Sequence, residues 1–140
     1  MGRRRTVIDA SQSEPDGEAA AAAIVVLDRF LAALNAGDTA ALLATMHFPH
    51  YRLAGVTMRV WNEPDDSYLR GFYARAGEGW HHTEWDFRRV IAAGPEKVHL
   101  DVQFTRYRTD NTAIGRYRSL YIVSRRDDVW AIQARSSYAP

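Results

Sequence analysis

Apolar and polar positions along this chain follow two different periods, and the change falls near residue 80. Upstream, Ile24, Leu27, Phe30, Leu31 and Leu34 recur three and four apart, which places them on one side of an α-helix. A helix is therefore predicted over about 15–36, with Ser13 or Asp16 as cap, Pro15 in the first turn, and Asp16 and Glu18 near its positive end. Gly37 tolerates left-handed backbone and ends it. Asp38 then caps a shorter helix, 39–46, with Leu42, Leu43 and Met46 on its apolar side. Residues 47–54 contain Pro49, which cannot donate to a ladder, so they read as an edge strand or extended segment. Gly55 turns the chain into a second short strand, 57–61. Glu63-Pro64-Asp65-Asp66 opens a third helix, 66–76, which buries Tyr68, Leu69, Phe72 and Tyr73 and stops at Gly77 and Gly79.

From Trp80 onward the period is two. Strands are predicted near 80–92, 97–109, 113–125 and 129–137, with turns at Gly94-Pro95, Asp110-Asn111 and Asp127-Asp128. Tight turns between long strands imply an antiparallel meander that twists and coils. With three-residue loops at the last two turns, one face collects Trp85, Phe87, Ile91, Val98, Leu100, Val102, Phe104, Leu120, Ile122, Trp130, Ile132 and Ala134. That face is assigned to the helices. The other then carries His82, Glu84, Asp86, Arg88, His99, Asp101, Gln103, Thr105, Tyr107, Tyr117, Ser119, Tyr121, Gln133 and Arg135, with Arg88 opposite Asp101. Its Tyr and Arg content suits a homodimer face. Arg116, Arg118 and Ser136 fall on the apolar side in this register. An inward Arg118 needs either a helix carboxylate or a ligand in a cavity.

The chain fits one domain, 15–140, preceded by a polar arm, 1–14, that reads as disordered. Hydrophobic residues at 46% and charged residues at 25% are globular proportions, and a net charge of +1 is too small a field to indicate nucleic acid. Lys97 is the only lysine, so the cationic groups are nearly all guanidinium. Absence of cysteine removes disulfide, thiol and thiolate-metal chemistry and fits a reducing, cytoplasmic setting. The apolar run Ala19–Leu27 continues into Asp28 and Arg29, so neither secretion nor a membrane span is expected.

The long first helix, the Asn35-Ala36-Gly37-Asp38 break, the helix Ser67-Tyr68-Leu69-Arg70-Gly71-Phe72-Tyr73-Ala74, the meander, and the ending Trp130-Ala131-Ile132-Gln133-Ala134-Arg135-Ser136-Ser137 resemble, together, the nuclear transport factor 2-like superfamily. That superfamily includes SnoaL-like polyketide cyclases and ketosteroid isomerases. The resemblance covers about 18–138 and implies an α+β cone: three N-terminal helices wrapped by a strongly curved, mostly antiparallel sheet, with an apolar pocket at the open end. It also implies dimers through the outer sheet face. The isomerase base would fall near Leu53 or Ala54, neither of which moves a proton, and the first helix has no Tyr for an oxyanion site.

The chemistry-bearing run is His47-Phe48-Pro49-His50-Tyr51. Either His suits acid–base work near neutral pH, while three-residue spacing on an extended chain sends the two to opposite faces. His81-His82 and the lone His99 likewise give no metal-ligand spacing, so no metal and no cofactor are expected. The reading that follows is a small-molecule pocket protein of SnoaL-like type, working as a cofactor-free isomerase, cyclase or dehydratase. His50 or His47 would move the proton, Arg118 would face a developing oxyanion, and Tyr51 or Ser136 would orient. Trp61, Tyr73, Trp85 and Phe104 would line a pocket for an apolar or aromatic ligand. The alternative is a non-catalytic ligand-binding or dimerisation module.

Overall fold

The structure, a computed structural model, describes residues 13–140; residues 1–12, where most of the expected arm falls, lie outside the described residues. Helix α1 (Ser13–Ala36) is followed by the short α2 (Thr39–Leu43) and by strands β1 (Met46–Ala54) and β2 (Thr57–Trp61). Helix α3 (Ser67–Arg75) leads into β3 (Trp80–Ala93), β4 (Lys97–Arg108), β5 (Ala113–Arg126) and β6 (Val129–Ser137). The six strands form one mixed sheet in the order β2-β1-β6-β5-β4-β3. The α+β class is as expected. Only α1 and α2 precede the sheet, however, because α3 is inserted after the first hairpin.

Gly37 ends α1 at φ +66°, and the Asp38 carboxylate accepts a hydrogen bond from Ala41 N to start α2. Strand β1 is not an edge strand: it lies between β2, antiparallel, and β6, parallel. Pro49 is tolerated there because the β1–β6 ladder lapses between Met46 and Tyr51, and the β1–β2 ladder begins only at His50.

Asp16–Ala36 is apolar and long enough to cross a membrane by length and composition. In this fold it is a core helix. Its stripe of Ala19, Ala23, Val26, Leu27, Phe30, Ala33 and Leu34 is buried, and the helix packs across β3 to β6 on one face of the sheet. Val98, Leu100, Val102 and Phe104 meet it from β4, as the alternation predicts.

On the neighbouring strands the expected faces are partly reversed, and bulges are the cause. An irregularity at Arg106/Tyr107 shifts β5 by one residue, so that Leu100 pairs with Tyr121 and Val102 with Ser119. Tyr117, Ser119, Tyr121 and Val123 therefore point inward, while Leu120 and Ile122 point outward. A second irregularity, at Ile122/Val123, lets Ile132 and then Arg135 and Ser137 face inward on β6, with Ala134 and Ser136 outward. On β3 a bulge between Trp85 and Phe87 turns Phe87 outward and brings Arg88 to Asp28 of α1, not to Asp101. Ile91, itself the extra residue of a further bulge between Val90 and Ala92, is exposed.

Candidate functional site

Between α1, α3 and the inner face of the sheet lies a pocket lined by Phe30, Leu31, Leu34, Tyr68, Phe72, Thr83, Trp85, Phe104, Arg106, Tyr121 and Arg135. Each element supplies its part through its own period. The helical stripe of α1 supplies the apolar side, α3 gives Tyr68 and Phe72 one turn apart, and the strands give alternate residues. The open space is about 350 Å³ including the mouth, and water-sized groups can centre themselves in about 20 Å³ of it. The cavity as it stands therefore holds about one water-sized group, and a larger ligand enters only as its side chains move apart.

Four guanidiniums gather at this inner end: Arg106 and Arg135 in the lining, Arg52 and Arg75 behind it. Arg106 is 1% exposed, Arg52 3% and Arg135 7%, yet among the described residues none of the four has an Asp or Glu side chain in ion-pair range. Their partners are a hydroxyl and main-chain oxygens. Arg135 donates to the Tyr121 hydroxyl, and Arg52 to the Ala139 carbonyl oxygen at 3.2 Å. Arg106 donates to the main-chain oxygens of Arg75, Ala76 and Pro140 at 3.2–3.4 Å. Aromatic faces complete the cradle: Arg106 lies 5.0 Å from the Tyr117 ring centre, Arg135 5.4 Å from that of Tyr121, and Arg75 5.4 Å from that of Phe72.

Burial with no Asp or Glu counter-charge depresses three of these groups. At Arg135 the same effect of burial is outweighed by Tyr121, which it bonds, and by Tyr68, and the group is raised. Arg75 is lowered to about 9 and Arg52 to about 10, by burial first and then by the charge of neighbouring arginines; Arg106 is lowered for the same reasons. All stay protonated at neutral pH, so the site is positive. Burial pushes the Tyr121 hydroxyl up, leaving it a neutral phenol that offers a dipole and no charge.

Of the residues expected to carry the site, Trp85 and Phe104 line this pocket. Trp61 stands one layer behind, 4.9 Å from the Tyr68 ring, with its indole N–H donating to Ser67. His50 shares that layer: it is fully buried, 5.5 Å from the Tyr68 ring, and its Nδ1 bonds the Ile132 carbonyl oxygen at 3.2 Å. Burial, and then the charge of Arg135, lowers it to about 4, so it is a neutral imidazole. His47 is committed elsewhere, its Nε2 lying 3.0 Å from the carbonyl oxygens of both Ser124 and Val129.

Arg118 is a correction: the β5 shift places it on the outer face, bound to Asp101 at 2.7 and 2.8 Å. It therefore does not converge with either His. Ser136 is also outward, and Tyr51 and Tyr73, at 38% and 48% exposed, are not among the pocket's lining. The residues that sequence reasoning missed are Arg106, which it did not single out, and Arg135 and Tyr121, which it placed outside. A signal existed for Arg106, since it continues the inward series Val98, Leu100, Val102, Phe104. No such signal existed for Arg135, which comes inward only through the β6 irregularity. Among the described residues there is no group of His, Asp and Glu suited to holding a metal, and no carboxylate lines the pocket.

An α+β domain with one six-stranded mixed sheet and a pocket between its helices and the inner sheet face is the class that fold and site define together. The chain belongs to the family of NTF2-like proteins designated DUF6841, whose profile matches residues 20–140. No curated protein matches the sequence. Among solved structures, it is similar to a protein of unknown function with a cystatin-like fold from Nostoc punctiforme. That match has TM-score 0.69 at 14% identity and covers 86% of this chain and 90% of that one. It is also similar to an NTF2-like protein with a cystatin-like fold from Novosphingobium aromaticivorans (TM-score 0.69, 13% identity, 86% and 80% covered). A third is Aln2 from a Streptomyces species (TM-score 0.68, 14% identity, 87% and 90% covered). At such identities the likeness concerns the fold.

Proposed function

We propose that the chain is a small-molecule pocket protein whose ligand presents an apolar or aromatic body to Phe30, Leu31, Leu34 and Trp85. The observation that carries this reading is the lining itself: aromatic and aliphatic walls with a few polar groups converging at one end, the composition of a ligand site. Ligand binding is favoured over acid–base catalysis by His47 and His50. One imidazole is spent on two carbonyl oxygens, and the other is held neutral behind the wall formed by Tyr68. The test is a thermal-shift panel of neutral and charged aromatic and aliphatic compounds on the wild type and on Leu31→Trp, which plugs the pocket from a half-buried position. Binders should raise the wild-type Tm and lose that effect in Leu31→Trp. A panel with no binder, or shifts unchanged by the plug, would contradict the proposal.

The same reading seats a second copy on the outer sheet face. Phe87 there lies between Arg89 and Arg118, with Leu120 and Ile122 beside the Arg118–Asp101 pair. Such a mixture of aromatic, arginine and aliphatic groups suits a homodimer contact. Analytical ultracentrifugation at micromolar concentration should give a dimer that Leu120→Arg dissociates; a wild-type monomer would refute the contact.

A further inference from the structure

We infer that the pocket takes a small organic carboxylate, whose oxygens bind Arg135, Tyr121 and Arg106 at the inner end. This inference rests on the pocket reading above and adds the charge and shape of the ligand's head group.

Three observations carry it. The first is the inventory of unpartnered polar atoms. Among the described residues, Tyr68 Oη, Trp85 Nε1, Arg106 Nε and Arg135 Nε are buried without a hydrogen-bond partner and line this pocket, while the other such atoms, on Arg52, Arg75 and His50, lie behind it. Each of these atoms can donate. The only other lining hydroxyl besides the tyrosines, that of Thr83, already accepts from the Trp80 indole at 2.9 Å. The pocket is thus rich in donors and nearly without acceptors, and buried donors demand an acceptor.

The second is charge. Arg106 and Arg135 are nearly sealed from water with no Asp or Glu partner among the described residues. Arg106 reaches only main-chain oxygens and Arg135 the Tyr121 hydroxyl, and Arg52 and Arg75 add to the same field. Guanidiniums buried for packing alone carry a desolvation cost that apolar side chains of the same volume would avoid. An anion offsets that cost and turns the cluster into a recognition device.

The third is shape. The whole cavity as it stands has room for little more than a water-sized group, about 20 Å³, and aromatic faces bound its guanidiniums. A flat carboxylate matches a guanidinium fork in two parallel hydrogen bonds. A tetrahedral phosphate is larger and more strongly hydrated. The hydrocarbon part of the ligand then enters as the apolar walls, with half-buried Leu31 and Trp85 among them, move apart.

The experiment is calorimetric titration at pH 7 and fixed ionic strength with benzoate, acetate, benzamide (the neutral counterpart of benzoate) and inorganic phosphate. It uses the wild type, Arg135→Met and Tyr121→Phe, each with its Tm measured. Benzoate should bind the wild type at least about tenfold more tightly than benzamide, as charge-assisted hydrogen bonds require, and phosphate should not displace it. Arg135→Met should have an unchanged or higher Tm without ligand, and should lose benzoate affinity by about tenfold or more. Tyr121→Phe should weaken benzoate by a smaller factor. If Arg135→Met does not fold, the acid–amide comparison and Tyr121→Phe decide.

Equal binding of benzamide and benzoate would overturn the inference and leave the pocket reading standing, with water occupying the donor cluster. Phosphate displacing benzoate would overturn the carboxylate assignment. Failure of every compound, benzamide included, would overturn both readings. Arg135→Met with a lowered Tm and undiminished benzoate affinity would show a structural arginine and also overturn the inference.

Discussion

His50 shows how one residue's surroundings decide its chemistry. Its ring is packed against Trp61 and Tyr68, with one nitrogen on the Ile132 carbonyl oxygen and positive guanidiniums nearby. Burial first, and Arg135 next, lower it from 6.5 to about 4. The folded state therefore prefers the neutral ring. Its stabilising contribution is complete above about pH 6.5, declines as pH falls toward 4, and is lost below that, amounting to about 3 kcal/mol across the window. Urea denaturation of the wild type and His50→Phe between pH 4 and 7 should show the acid-side decline in the wild type, much reduced in the variant. Equal slopes would refute the account. Arg118 is the opposite case. Its pair with Asp101 is half exposed, so Arg118→Ala should cost less than about 1 kcal/mol and leave ligand binding intact. A lost ligand response in that variant would restore the inward placement that alternation alone suggested.

At the scale of the elements, Gly115 on β5 fixes how Tyr117 lies. A Cβ there would meet the Tyr117 hydroxyl oxygen at 2.2 Å and ring carbon Cζ at 2.6 Å, so the ring occupies the space over the glycine while it covers Arg106. Gly115→Ala should displace the ring and destabilise the protein by about 1–3 kcal/mol in urea denaturation. A variant as stable as the wild type would contradict this packing. The same strand explains what the sequence could convey. The order of helices and strands was legible, because each carries its own period and its Gly, Pro or Asp stops, but α2 ends at Leu43, and Met46, read as part of its apolar side, begins β1. The turns at Asn111, Asp127 and Asp128 adopt the positive φ that their residue types tolerate. The inward face of β4 was legible too. The faces of β3, β5 and β6 were only partly so, since a bulge adds one residue and reverses all that follows while leaving the alternation itself unchanged. For that reason Arg135 and Tyr121 read as outward and Arg118 as inward.

For the whole molecule, the fold places a long apolar helix and a short aromatic one over one sheet face and leaves the space between them unfilled at one end. Residues far apart in the chain meet there: Phe30 and Leu34 from α1, Tyr68 and Phe72 from α3, Arg106, Tyr121 and Arg135 from three successive strands. None of these carries a local motif, and their chemistry exists only through the register of the sheet. The central claim is that this space receives a small molecule with its acidic end on Arg135. A crystal soaked in 4-bromobenzoate tests it most directly through the anomalous signal of bromine. The account predicts one bromine site among Phe30, Leu31 and Trp85, with the carboxylate oxygens on Arg135 and the Tyr121 hydroxyl. A filled interior with no bromine, or bromine only on the outer sheet face, would contradict it.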